Sequence, residues 1–205
     1  GAGVSFAAKQ AGASAKVFVP NHANPEKLEQ IILNGAEIEY SGDDCVDTEF
    51  NARSFARSRD RAYVPPYNHP AIIAGQGTVG LELAEQVPHL DAVFIAVGGG
   101  GLISGVAIAL KSINPDIQIV ACSPENSCVM HQSLAAGSLL DAPSEPTLSD
   151  STAGGIEPGS ITFPICQALV DRSITVSEME IAAAMRTLYE GNKLRVEGAA
   201  GVAFA

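Results

Sequence analysis

Gly98-Gly99-Gly100-Gly101 are four consecutive glycines set between an apolar run, Ala92-Val93-Phe94-Ile95-Ala96-Val97, and a helix-patterned run over residues 102–111. The order is strand, side-chain-free turn, helix start. Without Cβ atoms such a turn adopts positive φ and lets its backbone approach a ligand closely. Its successive N–H groups converge at the positive end of the helix dipole, which makes an anion cradle. A tight turn alone needs one or two glycines, whereas four give up roughly 0.5–1 kcal/mol each relative to alanine. A bound anion accounts for that expense, and a phosphate is the natural occupant. The run matches neither G-x-G-x-x-G nor G-x-x-x-x-G-K-[ST], so a dinucleotide or a P-loop nucleotide loses support.

The rest of the chain alternates in the same way. Residues 1–9 read as a helix, 16–20 as a strand, and 24–33 as a helix with Asn24 as N-cap and Pro25 at its first position. A strand over 36–40, a helix from Gly42-Asp43-Asp44 to about residue 58 and a strand over Ala62-Tyr63-Val64 complete an α-β-α-β-α-β unit. Pro65-Pro66-Tyr67-Asn68-His69-Pro70 breaks the pattern and predicts a boundary or hinge between a small mobile lobe, 1–66, and a larger lobe, 67–205. Beyond it, Gly75-Gln76-Gly77 leads into a helix from Thr78; a strand follows over 117–122 and a loop-rich stretch over 123–160. Helices near 162–170 and 177–192 flank a strand over 173–176, and Ser177-Glu178-Met179-Glu180 fits a capping box. The fold class is α/β, doubly wound, with ligands expected at the carboxyl ends of the strands.

The chain's 205 residues carry a formal charge of −11 and a mean hydropathy of +0.17, enough apolar content for a substantial core. An acidic chain with no basic run argues against nucleic acid as partner. No stretch reaches the length of a membrane span, and no charged-then-apolar signal opens the chain. Cys45, Cys122, Cys128 and Cys166 show neither C-x-x-C nor a zinc-site spacing, so they read as buried or idle thiols of a cytoplasmic protein. The chain opens on a running helix without Met and stops inside a small-residue apolar run, which reads as the middle of a longer protein.

Pro70-Ala71-Ile72-Ile73-Ala74-Gly75-Gln76-Gly77-Thr78, followed by Val97-Gly98-Gly99-Gly100-Gly101-Leu102-Ile103-Ser104-Gly105, resembles the fold-type II pyridoxal-phosphate (PLP) enzymes. Within them the serine/threonine dehydratases (ammonia-lyases) and serine racemase look closest. Pro124-Glu125-Asn126-Ser127 and Pro146-Thr147-Leu148-Ser149-Asp150-Ser151-Thr152-Ala153-Gly154-Gly155 are similar to a bacterial dehydratase-like branch. The resemblance covers essentially the whole chain. It implies a tryptophan synthase β-like fold, two lobes each with a largely parallel sheet flanked by helices, the larger lobe binding the cofactor.

The resemblance implies that Gly98, Gly99, Gly100, Gly101 and Leu102 hold the 5′-phosphate of PLP through backbone amides. Gly154 and Gly155 fall beside the cofactor, where missing side chains leave room for ring and substrate; a simple turn is the other reading. Glu197 matches the family's acidic residue near the cofactor, though alone it reads as a surface charge at a helix end. No catalytic residue is assigned within the chain. The family's Schiff-base lysine and most of its Ser-Ser-Gly-Asn-His-Gly loop are expected upstream of Gly1, and the partner of the pyridine nitrogen beyond Ala205. Lys9, Lys16, Lys27 and Lys111 read as solvated surface residues and Lys193 as a helix-end cation.

Racemase-like relatives carry a divalent-cation site. Here Ser123 and Val129 occupy its carboxylate positions and Ser127 its backbone-ligand position, so no metal is expected. The implied activity is β-elimination from L-threonine or L-serine, a small amino-acid substrate, giving a 2-oxo acid and ammonia, in a homodimer. Racemisation by the same family is the nearest rival, and a non-catalytic phosphate-ligand-binding protein is a rival of another class. The chain alone is expected to be inactive.

Overall fold

The structure is a computed structural model that describes residues 1–43 and 45–205. The chain divides into two compact units, Gly1–Pro65 and Pro66–Ala205.

The first unit runs α1 (Ala2–Gln10), β1 (Lys16–Val19), α2 (Pro25–Leu33), β2 (Glu37–Tyr40) and α3 (Cys45–Ser58). β1 and β2 pair in parallel, with Val17 opposite Ile38. Asn24 caps α2 as its sequence predicts, Oδ1 accepting from the Glu26 N–H at 2.9 Å with Pro25 at the first position. Leu28 and Ile31, one turn apart, then pack on Val19 to form the core of the unit. The expected third strand is not formed: residues 62–64 are irregular. Three residues precede Pro65 and Pro66, neither of which has an N–H for a ladder. Of the expected helix start at residues 42–44, Asp44 lies outside the described residues.

The second unit runs α4 (Pro70–Gln86), β3 (Ala92–Ala96), α5 (Gly101–Ile113), β4 (Gln118–Pro124), α6 (Val129–Ala136), α7 (Thr162–Leu169), β5 (Arg172–Val176), α8 (Glu178–Asn192) and α9 (Gly198–Phe204). Its sheet is parallel in the order β3-β4-β5. β4 is buried on both faces, as a parallel strand covered by helices must be. Ile119 and Ala121 join Ile103, Val106 and Leu110 of α5 in one cluster. Val120 and Cys122 join Ile181 of α8 and Val202 of α9 in another. The capping box of α8 is present, Ser177 and Glu180 each bonding the other's backbone.

Helix α4 begins at Pro70 and not at Thr78. His69 Nδ1 accepts from the Ala71 N–H at 3.1 Å, Pro70 fits the first turn, and the helix then passes straight through Gly75, Gly77 and Gly80. Two of these glycines are explained by α5. A Cβ on Gly77 would lie 3.2 Å from the Gly105 carbonyl oxygen, and one on Gly80 would lie 3.0 Å from that of Val106. What reads as a helix breaker in sequence is a close helix–helix contact in space. Two further helices lie where none was expected: α6 in the stretch read as loop, stopped by Gly137 at φ +71°, and α9 in the terminal apolar run.

Lys111 is not the solvated residue it reads as. Its Nζ lies 2.9 Å from Asp171 Oδ2 and donates to the Ile117 carbonyl at 2.9 Å, while Asp171 Oδ2 also accepts from the Ile119 N–H at 2.7 Å. The clip joins the end of α5 to the starts of β4 and β5. Lys16 is likewise engaged, with Glu37 at 3.3 Å and Glu39 at 3.4 Å. Burial pushes the Asp171 carboxyl up, but the Ile119 N–H and the Lys111 ammonium outweigh it and hold the group below its ordinary value. A folded value below the unfolded one makes the clip fully stabilising above the unfolded pKa. That contribution is lost as pH falls through the folded pKa. Asp171→Asn is therefore expected to lower the urea midpoint at neutral pH and to lose less of it on acidification below about pH 4. Urea melts from pH 3 to 7 check this; parallel acid limbs for the two proteins would contradict it.

Candidate functional site

β3 and β4 present their carboxyl ends side by side: Ala96 stands opposite Cys122, and the Val97 N–H donates to the Cys122 carbonyl at 2.9 Å. The chain then turns through Gly98, Gly99 and Gly100 and enters α5 at Gly101. Gly100 is the N-cap, at φ +83°, with no side chain to cap the helix. The first backbone bond closing this end is the Ser104 N–H to the Gly100 carbonyl at 3.0 Å. Among the described residues, no protein group accepts from the N–H groups of Gly98, Gly99, Gly100, Gly101 or Leu102. Five consecutive donors at the positive end of a thirteen-residue helix thus have no acceptor among the described residues.

The missing Cβ atoms serve the protein side of the loop. At Gly98 a Cβ would lie 2.8 Å from the Thr152 carbonyl oxygen, and at Gly99 it would lie 2.5 Å from the Tyr67 ring. At Gly100 it would meet Met130 Cε at 2.8 Å, and at Gly101 the Tyr67 Cβ at 2.8 Å. At each of the four glycines an added Cβ would run into the protein, so all four are taken up by close packing. Sequence reasoning credited the glycines to ligand approach and missed the residues that press on them.

Those residues are themselves held. The Tyr67 hydroxyl accepts from the Glu157 N–H at 2.8 Å. Asn68 Nδ2 donates to Glu157 Oε2 at 2.7 Å, and its Oδ1 accepts from the Ile161 N–H at 2.9 Å. Tyr67 and Asn68, part of the proline-rich break, are thereby built into the same unit as the glycine loop. Thr162 Oγ1 donates to the Gly99 carbonyl at 2.6 Å. The sequence signal for Tyr67 was its place in the proline-rich break; Thr162 gave none beyond opening a helix.

Gly154 and Glu197 come to the same region through residues 149–154. Thr152 abuts Gly98, and Ser151 Oγ donates to Glu197 Oε1 at 3.2 Å. Glu197 is the exposed N-cap of α9, whose first residue, Gly198, packs on the Leu148 carbonyl. Gly154 sits at φ +111°, where a side chain would be strained, with the half-buried Gly155 following it. Its N–H lies 3.1 Å from Ser127 Oγ and 3.2 Å from Ser144 Oγ, and Ser144 donates to Ser127 at 2.7 Å.

At the positions matching a cation site, Ser123 and Val129 are buried, and the buried Ser127 hydroxyl serves Gly154. Among the described residues, no three His, Cys, Asp or Glu side chains gather as a metal site. Of the thiols, Cys122 and Cys166 are buried, Cys128 is half-buried and Cys45 is exposed. Burial pushes the Cys166 thiol up to about 11, with the Ser104 hydroxyl pulling against it, so it is no nucleophile at neutral pH. No helix among the described residues is long and apolar enough to cross a membrane.

Comparison with known proteins adds the chemistry. The chain matches the family described as pyridoxal-phosphate dependent enzyme over residues 1–205. It is 37% identical over 203 residues to the catabolic L-threonine dehydratase of Escherichia coli K12, covering 99% of this chain and 61% of that protein. With the serine racemase of Arabidopsis thaliana it shares 38% identity over 204 residues, covering 98% and 61%. Among solved structures, maize serine racemase superposes with a TM-score of 0.91 at 37% identity, covering 98% of this chain and 60% of that one. The processed form of threonine deaminase isoform 2 from Solanum lycopersicum gives 0.89 at 31% identity, covering 98% and 58%. The chain thus spans less than two thirds of the length of these relatives. A row of backbone donors without protein acceptors at a helix start suits the phosphate of PLP, and the missing Cβ atoms let Thr152, Tyr67, Met130 and Thr162 press close on the loop that carries them. Matched along its whole length in both sequence and structure, the chain belongs to the pyridoxal-phosphate dependent enzyme family and has its fold-type II architecture.

Proposed function

We propose that the chain is the core of a PLP-dependent dehydratase that eliminates the β-hydroxyl of L-threonine or L-serine as water; one water then hydrolyses the resulting enamine, so that the net products are a 2-oxo acid and ammonia. The observation that carries the reading is the row of N–H donors from Gly98 to Leu102 without protein acceptors, in a chain whose relatives include threonine dehydratase and threonine ammonia-lyase. Those donors and the α5 dipole would hold the cofactor phosphate. In this reading Gly154 and Gly155, without side chains, would leave room for the ring and substrate, and Glu197, held by Ser151, would offer its carboxylate to the site. When bound, PLP supplies an electron sink for the pair left as the substrate Cα proton departs. Racemisation differs in delivering a proton to the opposite face of Cα, and the serine racemases of maize and Arabidopsis thaliana favour it as a second reading. In this assignment the first unit is part of the small lobe and the second part of the cofactor lobe. The whole enzyme is a cytoplasmic homodimer.

The amine that secures PLP is not among the chain's five lysines. Lys111 is tied to Asp171, Lys16 to Glu37 and Glu39, and Lys9 to the Leu33 carbonyl, while Lys193 caps the end of α8 and Lys27 lies within α2 of the first unit. The chain alone is accordingly expected to bind PLP reversibly and to form no 2-oxo acid from threonine or serine. PLP addition, borohydride reduction and intact mass with peptide mapping test this. No covalent adduct is expected; a stoichiometric adduct on one lysine would contradict the reading and identify that lysine as the catalytic amine.

A further inference from the structure

The peptide between Gly99 and Gly100 has glycine on both sides, so half a turn of that peptide meets no Cβ resistance. In a trans peptide the carbonyl and the N–H point opposite ways. A flip would therefore turn a carbonyl oxygen toward the anion and withdraw the Gly100 donor. The helix does not prevent this, because its first bond uses the Gly100 carbonyl and leaves that of Gly99 aside.

We infer that Thr162 is a positioning residue for the phosphate: its hydroxyl locks the Gly99–Gly100 peptide with the N–H turned outward to the anion. Thr162 Oγ1 donates to the Gly99 carbonyl at 2.6 Å, which points that oxygen into the protein. With its proton committed there, Thr162 Oγ1 accepts from Ser160 Oγ at 2.7 Å. Thr162 is fully buried and Ser160 is 4% exposed, so water does not compete for either bond. Met130 and Thr162 also close over Gly100, whose φ of +83° the lock maintains. The ligand side of this inference rests on the PLP reading; the lock does not.

The test compares Thr162→Val, which keeps the shape and removes the hydroxyl, with Thr162→Ser, which restores the hydroxyl. Two readouts are taken on the chain. Residual dipolar couplings report the Gly100 N–H direction without ligand, and titrations compare PLP with pyridoxal, which lacks the phosphate. Thr162→Val is expected to give a second Gly100 orientation and to weaken PLP about tenfold while leaving pyridoxal unchanged. Thr162→Ser stays within about twofold of the parent on the same scale. Ser160→Ala, which removes the orienting donor, moves both readouts the same way and serves if the valine variant does not fold. An unaltered Gly100 direction in folded Thr162→Val would overturn the lock. A second orientation with an unchanged PLP-to-pyridoxal ratio would leave the lock standing, overturn its role toward phosphate and remove the phosphate from this loop.

Discussion

Gly98→Ala is expected to weaken PLP binding at least a hundredfold while the second unit stays folded. The added Cβ would lie 2.8 Å from the Thr152 carbonyl oxygen and 2.9 Å from the Thr152 Cα, so it strikes backbone, which cannot rotate aside. The loop or residues 149–154 must give way, and either shift misaims consecutive donors toward the phosphate. A hydrogen bond to a charged group is worth about 1.5–3 kcal/mol, and losing two gives roughly two to four powers of ten. Titration of parent and variant with PLP, monitored by absorbance, reads the loss. Affinity within about threefold of the parent would show that the donors at this end of α5 do not carry the phosphate.

The largest expected effect on stability is that of Gly105→Ala. Its Cβ would run into the Ile73 carbonyl oxygen and would lie 2.6 Å from the Gly77 nitrogen, both backbone atoms of α4. No rotamer relieves that contact, so α4 and α5 must separate and loosen the cluster around Ile103, Val106 and Leu110. Overpacking against side chains costs about 1–3 kcal/mol, and against backbone on a helix pair the loss exceeds about 3 kcal/mol. Gly75→Ala is the control. Its Cβ would meet nothing within 4 Å, and alanine in an exposed helix position is expected to add about 0.5–1 kcal/mol. Urea denaturation of the two variants beside the parent measures both. Equal midpoints for Gly105→Ala and the parent would mean that the close approach of these helices is not what the glycines serve.

These two glycines also show where sequence reading succeeds and where it stops. The β3–glycine–α5 junction was legible because the hydrophobic period changes across a run that has no side chains. Asn24-Pro25 and Ser177 to Glu180 were legible because caps are local chemistry between neighbours in the chain. Gly75-Gln76-Gly77 was read as preceding the helix because α5, against which Gly77 packs, is not a neighbour in sequence. Helices α6 and α9 escaped notice because each is short and owes its shape to packing. Residues 62–64 had strand-like composition, but two prolines follow and no ladder forms.

The site divides in the same way. The donors from Gly98 to Leu102 belong to the backbone and could be read from glycine alone. Thr152, Tyr67 and Thr162 act on that loop from distant segments, so nothing in the local pattern ties them to it. Gly154 and Glu197 entered through the family resemblance. The structure adds their local partners: the Ser127 and Ser144 hydroxyls at the Gly154 N–H, and Ser151 on Glu197.

The measurement that bears most directly on the phosphate cradle is an assigned amide spectrum of the chain titrated with PLP and, separately, with pyridoxal. Saturable shifts concentrated at the amides of Gly98, Gly99, Gly100, Gly101 and Leu102, present with PLP and absent with pyridoxal, are the predicted result. Saturation with those five amides unmoved, or equal shifts from the ligand without phosphate, would contradict it.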